Sequence, residues 1–314
     1  MRHVLSAVAL AVATASPAAA EDFEFFTIGA GPLGGGYYTA ALAICDVIHA
    51  LRPGELRCSP DPTPGSVYNV LALADGQIDF ALVQSDTHHF AVEGTGAFAG
   101  AGPNAGFRSV LSLYPEPLTL IARREADVSD FADLAGKRVN IGPRNSGTRA
   151  TVLRFMETLG IGEDNFSGAR SLPTGAAIDR LCEGELDAVL LVMGHPNAAV
   201  GRALADCDAA LVPISGAEVE AHVAANPDYA LASIPRGTYP GQTRSVATFS
   251  VTATLMTRAD ADPMLVDSVA RSIVASLPEL NRRAPVIPGV RTAGLAADGL
   301  TAPLFDGLAE ILAE

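Results

Sequence analysis

Two glycine-rich loops carry residue types that bind anions. Gly34, Gly35 and Gly36 stand before one predicted helix, and Asn145–Arg149 (NSGTR) stand before another. Glycines leave backbone N–H groups open to a ligand, and the helix start adds partial positive charge. The second loop adds two hydroxyl groups and the guanidinium of Arg149. The alternative is a tight turn that binds nothing, but the pairing of two such loops favours a site for an anionic group such as a carboxylate.

A second group of side chains with possible chemistry is His88 and His89, together with Asp86 and Glu93. Imidazoles and carboxylates this close in sequence can share a metal ion. Neighbouring residues on a helix point about 100° apart, so two adjacent histidines seldom bind one ion. We therefore interpret the histidines as a solvated helix face and expect no metal and no cofactor. The chain also contains no nucleophile elbow, zinc-protease motif or Walker loop, and we expect no catalytic residues and no enzyme.

An internal repeat indicates how these loops are positioned. Phe25–Tyr38 and Arg138–Thr151 each follow the order β-rich run, glycine loop, helix. Asp75–Leu82 (DGQIDFAL) and Glu183–Leu190 (EGELDAVL) each follow an amphipathic helix and begin a strand. Two halves with this plan predict an α/β protein with parallel strands.

The local patterns predict further elements. Apolar residues at helical spacing after Gly36 indicate a helix that Pro53-Gly54 ends, and Ser66 is a plausible N-cap for the next helix. The other predicted elements are helices over Ser66–Ala74, Ala176–Cys182, Pro263–Leu277 and Leu304–Leu312, and strands over Ile78–Val83, Thr119–Arg123 and Val246–Thr257.

Length and composition limit the possible functions. The chain has 314 residues, of which 49% are hydrophobic and 18% charged, so about two packed domains are expected. Twenty-one basic against thirty-five acidic residues give a net charge of −14. A surface this negative repels phosphate backbones and anionic lipid, which argues against binding to nucleic acid or to a membrane surface.

The first twenty residues have the composition of a secretory signal peptide. Arg2 and His3 precede the apolar run Val4–Val12, and Ala18–Ala20 complete an Ala-x-Ala cleavage pattern. The alternative, a membrane anchor, would need an apolar run of about 20 residues. We predict cleavage after Ala20 and a periplasmic protein.

The predicted export places the protein in an oxidising compartment, where disulfide bonds are favoured, so we interpret the four cysteines as disulfide-bonded. Free buried thiols are the alternative. Three pairings are possible. We favour Cys45–Cys58 and Cys182–Cys207, because each closes a short local loop and joins the end of a predicted helix to the following segment.

Six motifs in register cover nearly all of the mature chain and resemble the TAXI family, the extracytoplasmic solute receptors of TRAP transporters. They are GSVYN (65–69), LVQSD (82–86), SLYPEPLTLIAR (112–123), NIGPRNSGTR (140–149), MGHPNAAV (193–200) and IPRGTYPGQ (234–242). The resemblance implies an α/β, two-lobed periplasmic-binding-protein fold, type II-like, in which each lobe is a mixed sheet flanked by helices and a hinge lies between them. It also implies delivery of a small carboxylate solute, such as glutamate, glutamine or a dicarboxylate, to the membrane subunits of a TRAP transporter.

The resemblance also implies a set of ligand-binding residues in a cleft between the lobes. Hydroxyls, N–H groups and Arg149 would hold carboxylate oxygens, while Gln84 and Asp86 would take an amino group or hydroxyl. Alternatively, Arg149 is a surface residue, Tyr37 belongs to the core and Asp86 caps a helix. Two departures leave the solute open: Gly142–Gly147 reads GPRNSG where relatives often have GNPGSG, and Thr148 replaces a frequent glutamine. The implied residues are Tyr37, Ser66, Asn69, Gln84, Ser85 and Asp86 in the first lobe, and Ser146, Gly147, Thr148, Arg149, Gly194, His195 and Pro196 in the second.

For the domain organisation we predict a signal peptide (1–20), one lobe made of residues 21–114 plus 249–314, and a second lobe of residues 115–248. The hinge crossings would be Pro115–Pro117 and Val246–Ser250. We expect a monomer. The alternative functions are a binding protein of an ATP-driven importer and an enzyme on the same fold.

Overall fold

The computed structural model describes residues 23–287, 292–296 and 299–313. The predicted signal peptide and its cleavage site lie outside these residues. Within them, no helix has both the length and the apolar character needed to cross a membrane. The chain forms an α/β structure of two lobes, each a sheet flanked by helices.

The first lobe is built on three parallel strands in the order β2-β1-β3, and helices follow each strand. All five residues of β3 are buried, as expected for a strand covered on both faces. The predicted helix after Gly36 is confirmed with its apolar stripe buried. The elements are β1 (Glu24–Gly29), α1 (Gly36–Leu51), β2 (Leu56–Asp61), α2 (Ser66–Ala74), β3 (Phe80–Gln84) and α3 (Ser85–Glu93).

A long strand, β4 (Phe107–Arg123), leads into the second lobe, which repeats the same plan. Its parallel strands have the order β6-β5-β7, and β4 runs antiparallel to β7 and β8. The predicted internal repeat is therefore confirmed. The elements are β5 (Arg138–Asn140), α4 (Gly147–Thr158), β6 (Gly168–Arg170), α5 (Thr174–Cys182), β7 (Ala188–Val192), α6 (Ala198–Asp206), β8 (Ala209–Val212), α7 (Ala217–Ala225) and β9 (Ala230–Ile234).

Strand β10 (Val246–Arg258) returns the chain to the first lobe and lies antiparallel to β4. Its first part, Val246–Ser250, pairs with β9, and Ala253–Thr257 pairs with β3. The partners of β4 change in the same region, because Leu118–Ala122 pairs with β7. Both strands therefore change partners beside Pro115–Pro117, where the hinge is predicted; the division into two lobes at residues 114 and 249 stays a prediction.

The C-terminal helices α8 (Pro263–Ala275), α9 (Leu277–Arg283) and α10 (Leu308–Ala313) pack into the core of the first lobe together with α1. Several predicted boundaries were wrong, and three of them concern these helices and α2. The helix predicted over Pro263–Leu277 ends at Ala275 and is followed by α9. The terminal helix begins at Leu308 rather than Leu304. Ser66 is the first helical residue of α2, whose N-cap is Gly65.

Both predicted disulfide bonds are present. Cys45 of α1 is bonded to Cys58 of β2, and Cys182 at the end of α5 is bonded to Cys207 at the end of α6. All four cysteines lie among the described residues, and none of them is free. Each bond joins two neighbouring elements of one lobe.

Candidate ligand-binding cleft

The two glycine loops lie at helix starts that belong to different lobes. Gly35 is the N-cap of α1, and Ser146 caps α4 by accepting a hydrogen bond from the Arg149 N–H at 3.2 Å. The first N–H groups of each helix have no partner within that helix, so both loops present donors. This arrangement can hold an anionic group, as the sequence predicts.

The second-lobe loop touches the first lobe at Gly147. A Cβ at this position would overlap the Oε1 atom of Gln84 and lie 2.7 Å from Ser66 Oγ. The N–H of Tyr68 in α2 also donates to the carbonyl of Asn145 at 3.2 Å. The two lobes are therefore in contact at Gly147. Only glycine allows the loop of the second lobe to come this close to the first lobe.

Asp86 is fully buried at the junction of the lobes. Its Oδ2 atom accepts hydrogen bonds from Thr151 Oγ1 at 2.5 Å and from the Tyr229 hydroxyl at 3.1 Å, both in the second lobe. Gln84 Nε2 donates to the same Thr151 hydroxyl at 2.9 Å. Burial raises the pKa of Asp86, and the hydrogen bonds oppose this rise. Asp86 lies within α3, one residue after its first, and the N-cap of α3 is Gln84.

Ser85 and His89 both contact Asp228 of the second lobe, next to the contacts of Asp86. Ser85 Oγ donates to the carbonyl of Asp228 at 3.0 Å and accepts from the N–H of Thr252 at 3.0 Å. His89 Nδ1 lies 3.6 Å from the buried carboxyl of Asp228. Burial raises the pKa of Asp228 to about 6, although His89 opposes the rise.

The interpretation of His88 and His89 as a solvated helix face was wrong for His88. The His88 side chain is fully buried, and neither ring nitrogen has a hydrogen-bond partner. Burial lowers its pKa to about 3, so the imidazole is neutral. His89 is 35% exposed. Among the described residues, no group of three or more His, Cys, Asp or Glu side chains is arranged to hold a metal ion.

A buried tyrosine–glutamate pair lies where β4 passes between the lobes. The Tyr37 hydroxyl donates to Glu116 Oε2 at 2.7 Å, and both side chains are buried. Burial raises the pKa of Glu116 to about 8; the hydrogen bond from Tyr37 opposes the rise, and repulsion from Asp86 adds to it. The buried hydroxyl of Tyr114, two residues earlier, has no partner. Sequence reasoning missed Glu116, although a charged residue between two prolines in an apolar run was a usable signal.

The loop after β7 places Gly194, His195 and Pro196 on the other side of the junction. His195 Nε2 lies 2.9 Å from Thr119 Oγ1, and His195 Nδ1 lies 2.6 Å from the Tyr239 hydroxyl. Burial lowers the pKa of His195 to about 4. A Cβ at Gly194 would overlap a methyl group of Val286, in the segment that follows α9 of the first lobe.

Two predicted site residues hold loops of their own lobe. Asn69 Nδ2 donates to the carbonyls of Ala30 at 2.6 Å and Leu82 at 2.8 Å, and its Oδ1 atom accepts from Thr63 at 2.6 Å. Thr148 Oγ1 accepts from the N–H of Val192 at 3.2 Å. Both side chains therefore position the cleft loops.

Arg149 is paired inside the second lobe. Its Nη1 atom donates to Ser171 Oγ at 2.8 Å, and its Nη2 atom forms an ion pair with Glu163. The side chain is 13% exposed. A solute carboxylate would have to compete with Glu163 for this guanidinium.

Two cavities flank the contact between the lobes. One, of about 1010 Å³, is lined by α3 and α4 and includes His89, Arg149 and Asp228. The other, of about 390 Å³, lies between Gly34, Gly36 and the loop at Pro196. Solute-sized space therefore exists on both sides of the residues that bring the lobes together.

Solved structures of other proteins share this fold. A protein from Bordetella bronchiseptica RB50 has a TM-score of 0.58 at 13% identity, over 91% of this chain and 96% of that one. A putative L-cystine ABC transporter from Listeria monocytogenes has a TM-score of 0.52 at 13% identity, over 85% and 97%. A histidine kinase sensor domain with similarity to periplasmic binding proteins has a TM-score of 0.52 at 11% identity, over 87% and 99%.

These likenesses show the fold, and the predicted two-lobed periplasmic-binding-protein fold is confirmed. At sequence level, a model of the NMT1-like family matches residues 28–314, which is nearly all of the part that follows the predicted signal peptide. The chain therefore belongs to the NMT1-like family.

Proposed function

We propose that the protein is an extracytoplasmic solute receptor that closes its two lobes on a small solute and delivers it to a membrane transporter. The observation that carries the proposal is the close contact of the two lobes at the second glycine loop, where Gly147 lies against Gln84 and Ser66 of the first lobe. A ligand favours a closed form only if it binds that form better than the open one, and a site shared between lobes provides this difference.

The proposed solute carries a carboxylate. The first N–H groups of α1 and α4 have no carbonyl partner within the helix, and together with the partial positive charge of the helix start they suit a carboxylate oxygen. Because Arg149 is paired with Glu163, the proposal assigns the carboxylate first to the loop N–H groups.

Two kinds of transporter fit this role. The motif resemblance to TAXI receptors supports a TRAP transporter. The fold of the putative L-cystine ABC transporter supports an ATP-driven importer at least as well. Identification of the membrane subunits encoded beside the gene distinguishes a TRAP transporter from an ATP-driven importer. For either transporter we propose a periplasmic, monomeric protein without catalytic activity.

The test is to identify what the protein carries. Protein purified gently from the periplasm is denatured, and the released small molecules are identified by mass spectrometry. The proposal expects one carboxylate-bearing solute in near-stoichiometric amount, released unchanged. A neutral sugar, or a compound that the protein converts on incubation, would contradict the proposal.

A further inference from the structure

Side chains of the first lobe make a group of direct hydrogen bonds to the second lobe. Thr151 of α4 is at the centre of this group, since its hydroxyl donates to Asp86 and accepts from Gln84. The Tyr229 hydroxyl donates to the same oxygen of Asp86. Ser85 Oγ adds a bond to the carbonyl of Asp228.

All of these groups are buried, which makes their pairing important. Gln84, Asp86 and Thr151 are 3%, 0% and 1% exposed. Asp86 Oδ1 accepts from Thr87 of its own lobe, whereas both donors to Oδ2 come from the second lobe, so Oδ2 alone loses its protein partners when the lobes part. A buried carboxylate oxygen without a hydrogen bond is unfavourable. In an open form, water replaces these partners. The closed form is therefore the one in which the polar groups of the two lobes satisfy each other.

We propose that Thr151, Tyr229, Asp86 and Gln84 form an interlobe latch, which holds the lobes closed in the absence of solute and sets the solute affinity through the closed population. Gln84 and Asp86, which the family resemblance assigns to the ligand, then act through the other lobe. The latch residues are positioning residues, because they fix the arrangement of the loops that would contact the solute. The latch does not depend on which solute is bound.

One backbone N–H reports directly on lobe closure. The N–H of Tyr68 lies in the first turn of α2 and donates to the carbonyl of Asn145 in the other lobe. The next N–H, of Asn69, donates to Gly65 in its own lobe at 3.0 Å. Opening of the lobes therefore exposes the Tyr68 N–H to solvent exchange and leaves the Asn69 N–H protected.

The experiment measures hydrogen exchange at these two amides in ligand-free protein, prepared by unfolding and refolding with the disulfides intact. Thr151→Val removes the central hydroxyl and keeps the side-chain shape. We expect exchange at Tyr68 to be about tenfold faster than in the parent, with Asn69 unchanged. Thr158→Val is the matched control on the same helix, because the Thr158 hydroxyl contacts His222 within the second lobe at 2.8 Å.

The proposal is overturned if Thr151→Val and the parent exchange equally fast at Tyr68, or if Thr158→Val accelerates exchange as much. If Thr151→Val does not fold, Tyr229→Phe provides the same comparison, since it removes a single donor to Asp86. A parent protein whose Tyr68 amide exchanges as fast as an unprotected one would also refute the latch. Because no solute is used, these results are independent of the solute-receptor proposal.

Discussion

Glu116 is the carboxyl whose pKa shift has the clearest consequence for stability. Burial raises its pKa from 4.5 to about 8 in the folded protein. A group whose folded pKa is raised contributes stability below its unfolded pKa, and this contribution is lost as the pH rises through the folded value. The parent protein should therefore lose stability between about pH 4.5 and 8 through this residue, by at most about 5 kcal/mol.

Glu116→Gln removes this titration while keeping a group that can accept from the Tyr37 hydroxyl. We expect the free energy of unfolding of the variant to fall less between pH 5 and pH 9 than that of the parent. Denaturant unfolding at several pH values measures the difference. Parallel pH profiles for the two proteins would show that Glu116 ionises normally.

Arg149 is held by Glu163 and Ser171, which limits its role in solute binding. We expect Arg149→Ala to weaken solute binding by less than about tenfold, because the loop N–H groups remain at the start of α4. Isothermal titration calorimetry with the released solute measures the change. A loss of a hundredfold or more would show that the guanidinium leaves Glu163 to pair with the carboxylate.

Each disulfide bond connects a helix to a neighbouring helix or strand of the same lobe. Cys45–Cys58 spans 13 positions and Cys182–Cys207 spans 25. Loop-entropy estimates give about 3 kcal/mol for the first bond and about 3.5 kcal/mol for the second. We expect each cysteine-pair-to-alanine variant to lose free energy of unfolding by about these amounts in denaturant titrations. A loss below about 1 kcal/mol for either pair would contradict this.

Some helices and strands could be predicted from the sequence, and the full length of β4 could not. Helix α2 was recognisable from its apolar residues and its Asp75-Gly76 end, and β3 from its continuous apolar run. Strand β4 was predicted only over Thr119–Arg123, yet it has 17 residues. Pro115 and Pro117 lack the N–H that a strand donates, so the sequence there indicates a break.

For the cleft, sequence reasoning identified residues of both lobes but not their partners. Asp86 bonds to Thr151 and Tyr229, which are 65 and 143 positions away. No local pattern contains such a contact. The burial of His88 was missed for the same reason, because the neighbours that cover an imidazole come from tertiary packing.

The two lobes can close on each other only if the residue at position 147 is small, so Gly147 connects lobe closure to solute binding. Leucine at this position would overlap Gln84 and press on Ser66, and would keep the lobes apart. Gly175 in the first turn of α5 is the matched control, because nothing lies within 4 Å of a Cβ placed there.

Calorimetric titration of three proteins with the released solute shows directly whether the solute binds between the lobes. We expect the parent and Gly175→Leu to bind equally well, and Gly147→Leu to lose about a hundredfold or more in affinity, because its closed form is scarcely populated. Gly147→Leu that folds normally and binds the solute as tightly as the parent would contradict a site between the lobes.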